Sequence, residues 1–280
     1  MIALLLSTLF SSGFGLVVCY AQRRNCNLLA VGALNYLTAA LFHVALRTRE
    51  GGFHPSPLTW EIGILAGIAY VTAYFFLFPF MKLRGVSIST AVVRLSVLIP
   101  VVFSVVLWGE RPSRMQTSGA ILALMSLPLL GFHPSSNRES LRAKGVLLLI
   151  ALFVGNGLCL LSVRGYHQTG VQGEESLFLG ILFSTAAVVS NAVWLLRREG
   201  SSRRDILPGV MLGICNALAN RALVEALQQL PGVLVFPFYS SVGLVFAAVF
   251  AGVVWGERIS RIETVGMIVA VGAVVFINMG

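Results

Sequence analysis

The sequence predicts an all-α polytopic membrane protein, with ten transmembrane helices arranged as two inverted five-helix repeats. Three observations carry this. Hydrophobic residues make up 57% of the 280 positions and charged residues 11%, too little polar surface to cover a soluble globule. Apolar runs of about 18 to 23 residues, the length that crosses a bilayer as a helix, recur along the chain. Finally, the pattern Trp-Gly-Glu-Arg-x-Ser-Arg-x-x-Thr-x-Gly occurs twice, at Trp108–Gly119 and Trp255–Gly266, 147 positions apart.

In chain order the predicted spans are Ile2 to Ala21, Leu28 to Leu46, Leu58 to Met81, Ser87 to Trp108, Met115 to Phe132, Lys144 to Val163, Glu175 to Leu196, Ile206 to Leu227, Val233 to Trp255 and Arg261 to Met279. The first is a helix rather than a signal peptide, because no basic segment precedes it and no small-x-small cleavage site follows. Polar or basic clusters bound the others, such as Arg23-Arg24 after the first and Lys82-Leu83-Arg84 after the third. Between the fourth and fifth spans, and between the ninth and tenth, stands the repeated stretch. Trp108 and Trp255 suit the membrane interface, and Gly109 and Gly256 end a helix in a left-handed cap. Ser113 with Gln116, like Ser260 with Glu263, has capping-box spacing. Glu110 and Glu257 are accordingly read as structural members of a tight hairpin, since a Glu just outside an apolar run costs little.

The repeat extends beyond the turn. At the same offset Leu83 falls on Leu230, Gly85 on Gly232, Val86 on Val233 and Phe103 on Phe250. Residues 1–132 form the first five-helix repeat, 133–143 a polar linker and 144–280 the second. Five is odd, so the second half enters the membrane with the opposite orientation.

The net charge of +9 does not point to nucleic acid, because the basic residues sit in short clusters between apolar runs. Loops after odd-numbered spans hold thirteen Lys and Arg, the others five, which places both termini outside. Cys19, Cys159 and Cys215 lie in apolar runs and Cys26 in a turn, with no metal or redox spacing. No metal or cofactor is expected.

Ten spans as five plus five, each half closing on a helix, a Gly-Glu-Arg turn and a Gly-containing helix, resemble the EamA-type branch of the drug/metabolite transporter superfamily over nearly the whole chain. The resemblance implies two inverted five-helix bundles around a central cavity lined by helices 1, 3, 4, 6, 8 and 9. It implies transport of small organic solutes, often export of amino acids or metabolites. It also implies cytoplasmic termini, against the charge count, so both orientations stand open.

Ionisable residues deep in a span are costly and usually face a cavity or a partner. Arg94 and Arg221 lie about one helical turn from the middle of their spans. Ser87, Thr90 and Arg94 form one polar stripe, and Asn216, Asn220, Arg221, Glu225 and Gln228 make the eighth span the most polar. If both stripes face inward they line one cavity. Arg94 or Arg221 then holds an anionic group such as a carboxylate, and Glu225 is the proton-coupling candidate. The structural alternative pairs Arg221 with Glu225 at i, i+4 and leaves Arg94 bonding free carbonyls. Asn156 stands between cavity and interhelical bond. Ser11, with Ser12, Gly13 and Gly15, suits close helix packing or substrate contact. Asn35, Tyr36 and His43 read as packing or interface residues, and Tyr70, Tyr74 and Phe78 as core, lipid-facing or an aromatic wall.

The expected function is a secondary transporter, an exporter of small organic solutes, working by alternating access around a midplane cavity. A lipid-facing scramblase or non-transporting scaffold is the alternative. No phosphate-binding loop, nucleophile elbow or zinc-protease motif occurs, so an enzyme is not expected. Expected partners are a small-molecule substrate and the lipid bilayer, without nucleic acid, for a monomer or homodimer in a bacterial inner or plasma membrane.

Overall fold

The computed structural model describes residues 1–50, 54–131, 143–169, 171, 173–198, 200–255 and 261–279. Among them the chain forms ten helices and no strand: α1 (Ile2–Arg23), α2 (Leu28–Glu50), α3 (Pro57–Leu95), α4 (Leu98–Val106), α5 (Arg114–Gly131), α6 (Ala143–Thr169), α7 (Glu175–Arg197), α8 (Arg203–Gln229), α9 (Gly232–Trp255) and α10 (Arg261–Met279). Six stretches, in α1, α2, α3, α6, α7 and α8, are long and apolar enough to cross a membrane. Val92–Val106, Gly232–Ala247 and Thr264–Ile277 are shorter apolar helices.

One boundary differs from expectation. The turn expected at Lys82–Val86 is absent as a break in helical backbone, and the break falls instead at Ser96–Val97. Pro100 explains the position: it has no N–H to donate to the Ser96 carbonyl, so the helix yields in the turn before it. Even so, α3 is no straight rod. Gly155 of α6 lies against Ala73, while Asn156, the next residue, donates to the Val93 carbonyl at 3.1 Å. A straight helix would hold Ala73 and Val93 about 30 Å apart. Phe80 and Val92 also pack together on Leu152. The chain therefore doubles back between Met81 and Thr90, and α3 consists of two arms that correspond to the third span and the start of the fourth.

Asp205, expected in a loop, is the third residue of α8 and is buried. It completes a capping box with Ser202 and also accepts the Asn27 N–H at 3.0 Å.

The helices pack in a definite set of pairs. α1 lies on α8 and α9, α2 on α7 and α8, α3 on α6 and α7, α4 on α6 and α9, and α5 on α10 and α9. Small residues allow the closest approaches. Gly63 and Gly67 of α3 meet α7, where an added Cβ would strike Ile181 and Thr185. Gly209 and Gly213 of α8 meet α2 in the same manner at Leu34 and Thr38. Ser7 donates to the Ala219 carbonyl and Ser12 to the Gly243 carbonyl, pinning α1 to α8 and α9.

Candidate functional site

α1, α2, both arms of α3, α6, α8 and α9 line a cavity of about 180 Å³. Five of the six helices named by the family resemblance line it. The remaining one, the fourth span, contributes through the second arm of α3, and α2 joins through Tyr36.

Arg94 lies on the second arm and is buried. Its guanidinium donates to Ser11 Oγ of α1 at 3.3 Å and sits over the Tyr239 ring of α9, 5.7 Å from its centroid. Tyr239 donates its hydroxyl to the same Ser11 Oγ at 2.7 Å. Ser240 holds the Arg94 carbonyl at 3.0 Å, and Gly243 leaves the space the guanidinium occupies, for a Cβ there would lie 2.6 Å from a terminal nitrogen. Two helices thus fix the cation, and among the described residues no carboxylate pairs with it.

The expectation for Asn156 resolves into both roles at once. Because Val97 N–H turns to the Arg94 carbonyl at the helix break, the Val93 carbonyl is freed, and Asn156 Nδ2 and Ser96 Oγ donate to it. Asn156 also lines the cavity, as do Thr90 and Ser11. On α8, Asn220 donates to Asn216 and accepts the Tyr70 hydroxyl at 2.6 Å, while Asn216 donates to Asn35 of α2 at 3.2 Å. Both α8 asparagines line the cavity.

The rest of the α8 stripe goes elsewhere. Arg221 follows Asn220 by about 100° around the helix axis, and its guanidinium reaches Ser176 of α7 at 2.9 Å. Glu225 shares that second face and is exposed. Gln228 donates to Glu175. Neither Arg221 nor Glu225 is among the residues around the cavity, so the expectation of one continuous polar stripe fails on helical geometry.

Aromatic residues complete the site: Tyr70 and Tyr74, for which an aromatic wall was one of the readings, Tyr36, expected at a packing or interface position, and Tyr239, which sequence reasoning missed. Tyr36, Tyr70, Tyr74 and Tyr239 form much of the wall. Tyr36 packs edge-on to Tyr74 and Tyr74 edge-on to Phe78. Tyr239-Ser240-Ser241, a polar run inside an apolar span, was the available signal for α9.

At the end of α4 the turn has a longer reach than a local hairpin. Gly109 takes the left-handed φ expected of it, +61°, but it lies two residues past Leu107, the right-handed residue that caps α4. Ser113 and Gln116 form the expected reciprocal capping box, at 3.1 and 3.0 Å. Glu110, however, is nearly buried; it pairs with Arg164 of α6 and accepts the N–H groups of Gly232 and Val233 at 3.1 and 2.8 Å. A carboxylate thereby satisfies the orphan donors and the positive dipole end at the start of α9. Arg164 also lies over the Trp108 ring. Glu257 and Ser260 lie outside the described residues.

A solved crystal structure superposes on the whole chain with a TM-score of 0.80 at 17% identity, covering 100% of this chain and 99% of that one, a likeness of fold. An uncharacterized protein of Haemophilus influenzae is 24% identical over 283 residues, covering 97% of this chain and 95% of its own. The sequence model of the EamA-like transporter family matches residues 1–132. Residues 1–132 thus carry the sequence pattern of the EamA-like transporter family, within the drug/metabolite transporter superfamily, and the chain is an integral multi-pass membrane protein.

Proposed function

We propose that the protein is a secondary transporter that exports small organic solutes by alternating access, with Arg94 as the group that binds substrate. The observation that carries this is a buried cation, without a carboxylate partner among the described residues, in a cavity walled by helices of both halves of the chain. A purely structural protein has no use for such a charge, whose insertion costs about 2.5 to 3.5 kcal/mol near the centre of a span. Thr90, Asn156, Asn216, Asn220 and Ser11 surround it as orienting groups.

The arrangement we propose for the whole chain is ten crossings in two inverted repeats, residues 1–132 and 144–280, joined at 133–143. Two features support it. Exchanging each helix for the one five places away converts the α1·α8 pair into α6·α3, α2·α8 into α7·α3, and α1·α9 into α6·α4, all of which are packed pairs. The glycine contacts obey the same exchange at an offset of 147 in the receiving helix: Leu34 and Thr38 of α2 correspond to Ile181 and Thr185 of α7. Glu110 caps one end of α9, and Trp255, where the second copy of the turn begins, stands at the other, about 36 Å away. Two packings related by such an exchange supply two states of similar energy, open to opposite sides.

An uptake screen in right-side-out and inside-out vesicles, across organic acids, amino acids, amines, sugars and nucleosides, tests the activity. Accumulation of at least one class, dependent on the protein and lost in Arg94→Gln, is expected. Equal fluxes with and without the protein for every class would remove the transport reading.

A further inference from the structure

Resting on that transport reading, we infer that the substrate is a small organic monoanion, a carboxylate carried on an apolar or aromatic body, and that zwitterions and amines are disfavoured.

The argument starts from which polar groups are left uncommitted. Four tyrosines line the cavity, and each hydroxyl is spent on the protein: Tyr36 on the Tyr70 carbonyl, Tyr74 on the Leu28 carbonyl, Tyr70 on Asn220 and Tyr239 on Ser11. These residues therefore present rings rather than hydroxyl donors. The amide nitrogens of Asn156, Asn216 and Asn220 are likewise directed to Val93, Asn35 and Asn216. What remains among the described residues is the hydroxyl of Thr90 and the guanidinium of Arg94, the latter with five donors in a planar fork and one hydrogen bond, to Ser11. The rest of the wall is apolar, from Phe14, Val18, Leu77, Met81 and Leu160.

Charge decides the class. Among the described residues lining the cavity, Arg94 is the single charged side chain. A bound monoanion brings the site to zero net charge and offers the fork a bidentate partner. A zwitterion adds no net charge, so the site stays at one positive charge, and its ammonium meets no carboxylate. An amine doubles the charge beside a guanidinium that is itself buried, where like charges repel strongly. The volume of about 180 Å³ keeps the solute small.

The test is a charge series on two bodies, using the purified full chain in detergent and its thermal shift and intrinsic fluorescence as readouts. One set is 3-phenylpropanoate, 3-phenylpropanol, 3-phenylpropylamine and phenylalanine; the other is hexanoate, hexanol, hexylamine and norleucine. The inference expects the carboxylate to bind at least tenfold more tightly than its three analogues in one set or both. It also expects Arg94→Gln, checked for a monodisperse elution profile, to bring the carboxylate level with the alcohol. An amine or amino acid binding as well as the carboxylate overturns it, as does a carboxylate affinity unchanged in Arg94→Gln, or a failure of both carboxylates to bind. Vesicle flux separates the two readings: uptake confined to amines, amino acids or neutral solutes overturns the anion class and leaves transport standing, whereas no flux of any class removes transport as well.

Discussion

Glu110 and Arg164 form a buried ion pair that fastens the turn after α4 to the end of α6, with 8% and 4% of their side chains exposed. Glu110 also holds the first two N–H groups of α9, so one carboxylate joins three parts of the chain. Removing one partner strands the other charge in a dry setting, at about 3 to 5 kcal/mol. Glu110→Gln and Arg164→Gln should each lower the melting temperature in detergent strongly, and the double variant should melt above either single one. Additive losses in that cycle would show that the two residues act independently.

The capping box at the same turn is exposed and has a smaller effect. Ser113→Ala removes the acceptor for the Gln116 N–H and should cost about 1 kcal/mol. Since Ser113 is exposed and is not among the residues around the cavity, substrate affinity should be unchanged. An affinity loss without a change in melting would place the turn in the site.

Much of this was legible in the sequence because helical periodicity and span length are local properties. The apolar runs, the left-handed Gly109 and the Ser113–Gln116 box depend on neighbours a few residues away. Arg94 was legible for another reason: a charge inside an apolar run is costly wherever it points. The direction of a side chain was not legible. Arg221 and Asn220 are adjacent, yet they face α7 and the cavity respectively, and only the packed neighbours decide that. Glu110 looked inexpensive because its long-range partners, Arg164 and the start of α9, are more than fifty residues away. The tyrosine wall was obscured for the same reason, as a Tyr at helical spacing looks alike in a core, a lipid face or a cavity.

Arg221 separates a deep charge from a binding charge. It bonds Ser176 on α7 and does not line the cavity. Arg221→Gln should therefore shift melting while leaving the affinity for the carboxylate probes within about twofold, the scatter expected of a distant substitution. A tenfold affinity loss would return Arg221 to the site.

Glu174, in the loop before α7, supplies a pH signature. Desolvation pushes its carboxyl up, but hydrogen bonds from Thr59 and Ser56 and the nearby Arg47 outweigh this and hold it below the usual carboxylate range. A depressed folded value stabilises above the unfolded one, about 4.3, and the contribution is lost as pH falls through the folded value. Glu174→Gln should thus melt below wild type at pH 7, and the gap should close as pH falls below about 4. A gap that stays constant from pH 7 to pH 3 would remove the ionised carboxylate from the account.

Gly243 tests the position of Arg94 without touching its charge. An added Cβ at 243 would lie 2.6 Å from one guanidinium nitrogen, so Gly243→Ala must move the fork off its place between Ser11 and Tyr239. Gly15 lines the cavity and has open space beside it, and Gly15→Ala is the control for a methyl group added to the wall itself. Gly243→Ala should weaken binding of the carboxylate probe about tenfold, while Gly15→Ala changes it much less. If displacement of the arginine is the cause, Gly243→Ala should have no further effect once Arg94 is already Gln, since the methyl then has no fork to displace. The deciding measurement is probe affinity across wild type, both single variants and the double variant. Equal, additive losses from the two substitutions would mean that Gly243 contributes to binding by a route other than Arg94.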